Sequence, residues 1–364
     1  MHKLIATSTI LDHELSELRL LVERQTGVVL DCPNSALSAH VSSYIESQEI
    51  ESVAVLLERL RLGDQDLPRV PSLMDGLINV NSGFFRHPGA LNALAKFVVP
   101  QLCARKSNDG SSPLRIWSAG CSTGEEAYSI AIAVCDALSK TGPAAANNGN
   151  GSNGNGNGTG KHSPARRGGI AESSSTASTG AYPTPSIHIV GSDLLPCNIA
   201  VADRGVYRQS ALDGLPPAII RNYFSKINSP VLPSNTSVDS GAECEEDDEP
   251  LFAKNTQSAA NNSAQLLVKP RLRSLVTFNC MNLARPGYIG RFDCIFCMDV
   301  LPHFSRPQRV ALLERLHLYL EPGGYLFLSQ TEKLATSNLN FRSETFDGYT
   351  FHRKPLAASA AYGR

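Results

Sequence analysis

No apolar run in this chain approaches the ~20 residues that a membrane-spanning helix needs, so the sequence offers no candidate span. Its start, MHKLIATSTILDHELSEL, carries acids early and has no hydrophobic segment of the secretory kind. A cytoplasmic location is the expectation. Charge of one sign is missing too. Lys and Arg total 33 against 34 Asp and Glu, and a net charge of −1 gives no electrostatic reason to bind nucleic acid or an anionic membrane. The nine cysteines are odd in number and scattered, which suits reduced thiols better than a disulfide framework. Cys294 and Cys297 form a lone C-x-x-C in DCIFCMD. In the strand predicted there, positions i and i+3 face opposite sides, so no shared metal is expected.

Two well-known phosphate loops are also absent. Residues 114–131 read LRIWSAGCSTGEEAYSIA, an apolar run that stops at a glycine and re-emerges as a helix. Such a strand–loop–helix turn brings backbone N–H groups close to a ligand. There is no G-x-G-x-x-G, because Gly120 and Gly124 are separated by Cys-Ser-Thr. There is no G-x-x-x-x-G-K-[ST], because Glu125 and Glu126 follow Gly124. Two acids suit the positive end of a helix dipole but repel a polyphosphate. The loop is built for a neutral or cationic ligand.

What is present organises the 364 residues into a soluble globular chain, 42% hydrophobic and 18% charged, long enough for two domains. Residues 12–80 have helical periodicity: Leu15, Leu18, Leu21 and Val22 make one stripe, Leu56, Leu57 and Leu60 another, and Leu73 and Leu77 continue the pattern. This predicts a small helical domain, with a connecting stretch at 81–113. From 114 to 354, short apolar runs alternate with helices. Strands are predicted at 114–120, 186–193, 274–282, 292–300 and 323–330, helices at 124–140, 195–204 and 306–320, and a closing hairpin at 341–354 around Asp347-Gly348. That alternation means an α/β fold with a parallel sheet covered on both faces, and ligands at the carboxyl ends of its strands. Two stretches, about 142–185 and 229–264, are too poor in apolar residues to pack and read as disordered surface insertions. The second contains ECEEDDE at 243–249, a solvated loop or a dock for a basic partner.

Three places carry chemistry. Asp193, in IVGSD at the second strand's end, suits the two hydroxyls of a ribose, although an acid there also serves a nicotinamide cofactor or caps the following helix. Glu125 and Glu126 are either ligand contacts or acids on an exposed first helical turn. In NVNSGFFRHPGAL (79–91), two phenylalanines precede Arg86. At least one belongs in the core, and Arg86 either makes a surface ion pair or clamps a carboxylate.

FFR, SAGCSTGEEAYSIA, GSDL with DRGVYRQSAL (203–212), and FDCIFCMDVLPHF (292–304) occur in the order found in one family. Over most of residues 15–354 the chain resembles the CheR-type chemotaxis receptor methyltransferases, S-adenosylmethionine-dependent protein-glutamate O-methyltransferases. The resemblance implies a Rossmann-like class I methyltransferase sheet domain preceded by a small all-helical domain, with a small β-subdomain between later strands. It implies S-adenosylmethionine as cofactor, S-adenosylhomocysteine as product, and a glutamate on a chemoreceptor-like helix as acceptor. No nucleic-acid partner or membrane insertion is expected, and the sequence does not fix the oligomeric state, a monomer being the expectation. The cofactor is a sulfonium cation, which an acid-rich loop favours.

By the same resemblance, Arg86 lies at the active site beside the cofactor and Glu126, Gly120 and Ser82 contact it. Asp193 takes the ribose hydroxyls, Asn282 and Leu283 (CMNLA) lie beside adenine, and Met298 and Asp299 stand where the family has an Arg-Asn pair. Arg86 and His303 are the catalytic candidates; His303, at the place of a family tyrosine, is otherwise a neutral surface or capping residue. Val80 and Ser82 replace an Asn and a Thr, and Asn79 or Asn81 can supply the amide after a one-residue shift. The stretch matching the family's arginine-rich receptor helix, 34–53, has no Lys or Arg, so charge complementarity to an acidic receptor is weak. An active glutamate methyltransferase is the leading expectation, against an impaired cofactor-binding scaffold, a small-molecule methyltransferase or, without G-x-G-x-x-G, a dehydrogenase.

Overall fold

The computed structural model describes residues 10–62, 73–75, 77–78, 82–108, 112–141, 186–227, 264–287, 290–334 and 339–356. The two expected insertions, apart from Ala264, and Val80, Asn79 and Asn81 lie outside the described residues.

Three helices lead: α1 (Asp12–Thr26), α2 (Asn34–Ser47) and α3 (Val53–Leu62). Glu14 and Asp12 sit in the first turn of α1, and Glu14 Oε2 accepts the Leu11 N–H at 2.9 Å. The helix stops at Gly27, whose φ of 76° a side chain rarely adopts and whose Cβ would meet that of Ala284 at 2.5 Å. Leu15, Leu18, Leu21 and Val22 are buried, each worth about 1.5–3 kcal/mol. They bury not into a separate helical core but into one continuous with Trp117, Phe292, Ile295 and the helix Arg306–Tyr319. The end of α1 is pinned to the sheet's loops. Gln25 O accepts from Asn282 Nδ2 (2.9 Å) and Arg285 Nε (3.3 Å), Val28 pairs with Phe304, and Val29 N donates to His303 O at 2.8 Å.

The sheet contains β1 (Leu114–Ala119), β2 (Ile187–Asp193), β6 (Val276–Cys280), β7 (Phe292–Phe296), β8 (Leu320–Phe327), β9 (Arg342–Phe346) and β10 (Tyr349–Arg353), in the order β6-β2-β1-β7-β8-β10-β9. Numbered within this sheet alone, the order is 3-2-1-4-5-7-6. The first five are parallel, and β10 runs antiparallel to β8 and β9. All five residues of β7 are buried, as a central parallel strand covered on both faces requires. Alternation divides the sides: Trp117 and Ile295 face α1 and Arg306–Tyr319, while Ile116, Cys294 and Phe296 face the helix Glu125–Thr141.

That second face is also covered by a helix running from Pro88–Ala93 through a π turn at Leu94–Val98 into Val99–Asn108. Its buried Leu94, Val98 and Leu102 recur every four residues, a spacing that drifts around an α-helix and that the wider π turn absorbs. A three-stranded sheet, β3 (Val206–Arg208), β5 (Gln265–Val268) and β4 (Phe224–Ile227), lies in the chain between β2 and β6.

The expected strand at 292–300 is shorter. β7 ends at Phe296, so Cys297, Met298 and Asp299 lie on the exit loop. Asp299 has a φ of 57°, which no strand residue adopts. Among the described residues no helix is long and apolar enough to cross a membrane.

Candidate active site

From β1 the chain leaves through Glu125–Thr141 toward β2; from its neighbour β7 it leaves through Arg306–Tyr319 toward β8. The two exits diverge, opening a crevice at the carboxyl ends of the strands. A cleft of about 380 Å³ lies there, and Ser82, Arg86, Gly120, Glu126 and Asp193 all line it. So do Asn282, Leu283, Met298, Asp299 and His303. These ten residues singled out in the sequence meet in one place, while Glu125 does not line the cleft.

Its floor depends on Gly120. This residue has a φ of 86°, and a Cβ there would approach Val300 Cγ2 to 2.5 Å, so the exits of β1 and β7 come this close only with glycine. Ser122 follows with a φ of 50°. Its N–H donates to Asp193 Oδ2 at 3.0 Å. Asp193 Oδ1 accepts from Leu195 N (2.9 Å) and Asn198 Nδ2 (3.0 Å). Asp193 thus faces the cleft and braces the turn before the helix Pro196–Arg204, but the N-cap of that helix is Leu195, not Asp193.

The exposed-turn reading of Glu125 and Glu126 is wrong. Glu125 is buried, and its Oε2 accepts from Ser82 Oγ at 2.6 Å and Thr123 Oγ1 at 2.7 Å. Glu126 accepts from Ser118 Oγ at 2.6 Å. Burial pushes its carboxyl up to about 7, the Ser118 bond opposing and Asp299 and Glu332 adding to the rise. A first helical turn pressed against the floor of a cleft cannot be a solvated one.

At the mouth, Phe84 packs edge-on against Tyr207 and Phe224, with centroids 4.9 and 5.3 Å away. Phe85, with a φ of 53°, donates its N–H to Ser129 Oγ at 3.0 Å. This anchorage presents Arg86, whose Nη2 lies 3.2 Å from Asp299 Oδ2, and His87, whose Nε2 lies 3.1 Å from the same oxygen. Met298 is buried, its sulfur 3.8 Å from Tyr349 Oη.

The opposite end is more apolar, with Leu194, Met281 and Leu283. The Asn282 amide is committed to the scaffold, donating to Gln25 O and accepting from Ala284 N at 2.8 Å. His303 sits on the turn Leu301–His303, and burial lowers its imidazole pKa, against the pull of Asp299 and Asp193. It is a neutral ring beside Val28 and Phe304. Cys294 and Cys297 are free, buried thiols, pushed well up by burial.

Sequence reasoning passed over two residues. His87 sits beside the singled-out arginine. Glu332 lies five positions past the end of β8, and its carboxylate accepts backbone N–H bonds from Leu301, Asp299 and Ser329 at 2.9, 3.1 and 2.8 Å. The available signal was an acid at the carboxyl end of a parallel strand.

The cleft suits an adenosyl sulfonium cofactor. The Ser122 hydroxyl is buried in its wall with no hydrogen-bond partner among the described residues, a polar group left for a ligand. One end is apolar, Asp193 offers a charged acceptor, and Glu126 offers an acid to a cation. With the 3-2-1-4-5-7-6 sheet, this defines a class I S-adenosylmethionine-dependent methyltransferase.

The family model "CheR methyltransferase, SAM binding domain" matches residues 80–147 and 241–349. Chemotaxis protein methyltransferase 1 of Pseudomonas aeruginosa is 27% identical over 326 residues, 89% of this chain and 90% of that one. Chemotaxis protein methyltransferase of Vibrio parahaemolyticus is 25% identical over 329 residues, 90% and 91% of the two chains. The chain belongs to the CheR methyltransferase family, and its cofactor is S-adenosylmethionine. Among solved structures, magnesium protoporphyrin IX methyltransferase from Synechocystis aligns over 76% of this chain and 84% of that one, at 14% identity and a TM-score of 0.27; the fold assignment stands on strand order.

Proposed function

We propose that the protein transfers the methyl group of S-adenosylmethionine to glutamate side chains of a chemoreceptor, giving a methyl ester and S-adenosylhomocysteine. The observation that carries this reading is Arg86 at the mouth of a cofactor-sized cleft, with a carboxylate oxygen already 3.2 Å from its guanidinium. The site accommodates a carboxylate where an acceptor must arrive. The relatives' names, chemotaxis protein methyltransferases, support the same setting.

Asp193 would hold the ribose hydroxyls, the Gly120 turn and Ser122 would line the cofactor's path, Glu126 would face its cationic part, and Leu194, Met281 and Leu283 its base. When bound, S-adenosylmethionine supplies an electrophilic methyl group on a sulfonium cation. A glutamate acceptor has a reference pKa near 4.3 and is ionised at neutral pH, so no residue here needs to remove a proton. That accords with a neutral, half-buried His303, whose part is to close the cleft rather than act as a base. The task left to Arg86 is alignment: it holds one carboxylate oxygen so that the other points inward. Phe84 and Phe85 anchor its backbone, and the burial around Met298 keeps water away from the acceptor.

Incubating the protein with methyl-labelled S-adenosylmethionine and receptor cytoplasmic fragments tests this. The expected result is label in the fragment, released as methanol by mild alkali because glutamyl methyl esters are alkali-labile. Label that resists alkali, or label entering only small carboxylates, refutes the assignment. One observation favours a second reading, a cofactor-binding module without turnover: Asp299 occupies Arg86 where an acceptor needs it. That reading predicts calorimetric binding of the cofactor with no transfer to any fragment.

A further inference from the structure

We propose that Glu332 is a positioning residue of the transfer site: its carboxylate fixes the exit loop of β7 and thereby sets where Asp299 holds Arg86 and His87. This rests on the reading of the cleft as a methyl-transfer site. Glu332 lies outside the cleft wall, so it acts through Asp299 rather than on a ligand.

Its two oxygens collect three backbone donors from two different strand exits. Oε1 accepts from Leu301, and Oε2 from Asp299 and Ser329. The exits of β7 and β8 are thus tied at one carboxylate. The tie falls on the residue that most needs it, because Asp299 is a non-glycine at φ 57°, a left-handed conformation that side chains disfavour and that persists only where the surroundings over-determine it. Left-handed backbone at 299 turns its side chain toward Arg86 and His87, which share Oδ2 at 3.2 and 3.1 Å. Were Asp299 to relax into the extended region, its side chain would swing to another face and release both Arg86 and His87.

Only a carboxylate serves. Glutamine offers one acceptor oxygen and an NH2 group that would face at least one N–H, and aspartate is a methylene too short to span both exits. Burial raises the Glu332 pKa, while the amide bonds from Ser329, Leu301 and Asp299 oppose that rise and favour the ionised form.

Two measurements on the full chain test the proposal. In the wild-type protein, hydrogen exchange should show the amides of Asp299, Leu301 and Ser329 protected although none belongs to the sheet ladder. In Glu332→Gln all three should exchange faster by about tenfold or more. The maximal rate of methyl transfer should fall by about tenfold or more, while calorimetric affinity for S-adenosylmethionine changes by less than about threefold. Adding Asp299→Asn to Glu332→Gln should then cost little more than either alone, because both act on one contact.

Unprotected amides in the wild type overturn the proposal whatever the variant does. So do losses that simply multiply in the double variant, the mark of a merely structural role. If the wild type neither binds the cofactor nor transfers a methyl group, the functional reading fails instead, and exchange still decides whether the tie exists.

Discussion

Replacing Asp193 with Asn keeps the shape of the side chain and removes its charge. The aspartate accepts on both sides, from Leu195 N and Asn198 Nδ2 on Oδ1 and from Ser122 N on Oδ2. Asparagine has one carbonyl oxygen. Turned toward Leu195 and Asn198, it leaves its NH2 facing the Ser122 N–H; turned the other way, it opposes two donors. The first arrangement is cheaper and leaves one donor unmet, at ~1–3 kcal/mol of stability. A hydroxyl pair bound by the same residue also loses its charged acceptor, worth ~1.5–3 kcal/mol, roughly ten- to hundredfold in Kd. Calorimetric titration with S-adenosylmethionine and with S-adenosylhomocysteine checks this well below the melting temperature. Both ligands carry the ribose, so both should weaken by the same factor. Unchanged affinity, or a loss confined to one ligand, refutes the placement of the ribose at Asp193.

Three further outcomes follow from the cleft. Glu126 titrates in the folded state at about 7 against an unfolded value of 4.5; its contribution to stability is full below pH 4.5 and lost as pH rises through about 7. Chemical denaturation across that window should show a decline that Glu126→Gln removes, and S-adenosylmethionine affinity should rise over the same window because the ionised acid favours a cation. Gly120→Ala forces a Cβ to 2.5 Å from Val300 Cγ2, an overpacking cost of ~1–3 kcal/mol; adding Val300→Ala should recover part of the lost melting temperature, the left-handed φ keeping the rest. Arg86→Ala should lower methyl transfer by roughly a hundredfold with cofactor affinity nearly unchanged, and equal loss in both would move Arg86 from the acceptor to the cofactor.

The main sheet was legible because its strands are short apolar runs bounded by small residues, and β1, β2 and the final hairpin fall within a residue or two of their expected ends. β3, β4 and β5 were not legible in the residues themselves; the resemblance implied a small β-subdomain between later strands, and the structure has it between β2 and β6. These three strands are three or four residues long, and β4 pairs with β5 across a polar stretch that conceals their adjacency. The early end of β7 was hidden because Cys297 and Met298 remain buried beyond it, so hydropathy runs on where the backbone has turned. Within the site, the loop and motif residues announced the cleft. What they could not reveal was the pairing of Asp299 with Arg86 and His87, or its tie to Glu332, since these join residues more than thirty and more than two hundred positions apart.

Thr26 and Val28, at the end of α1, form part of the cleft wall, and Gln25 and Val29 hold the exits of β6 and β7 by main-chain carbonyl and amide. The leading helices are therefore not an interchangeable adapter. Grafting α1–α3 from a relative to redirect partner choice would replace part of the pocket's own wall, and a core cut out from residue 82 onward would be missing that wall. Any chimera has to carry the Gly27 turn and its seat at Ala284 and Phe304 as one inherited unit.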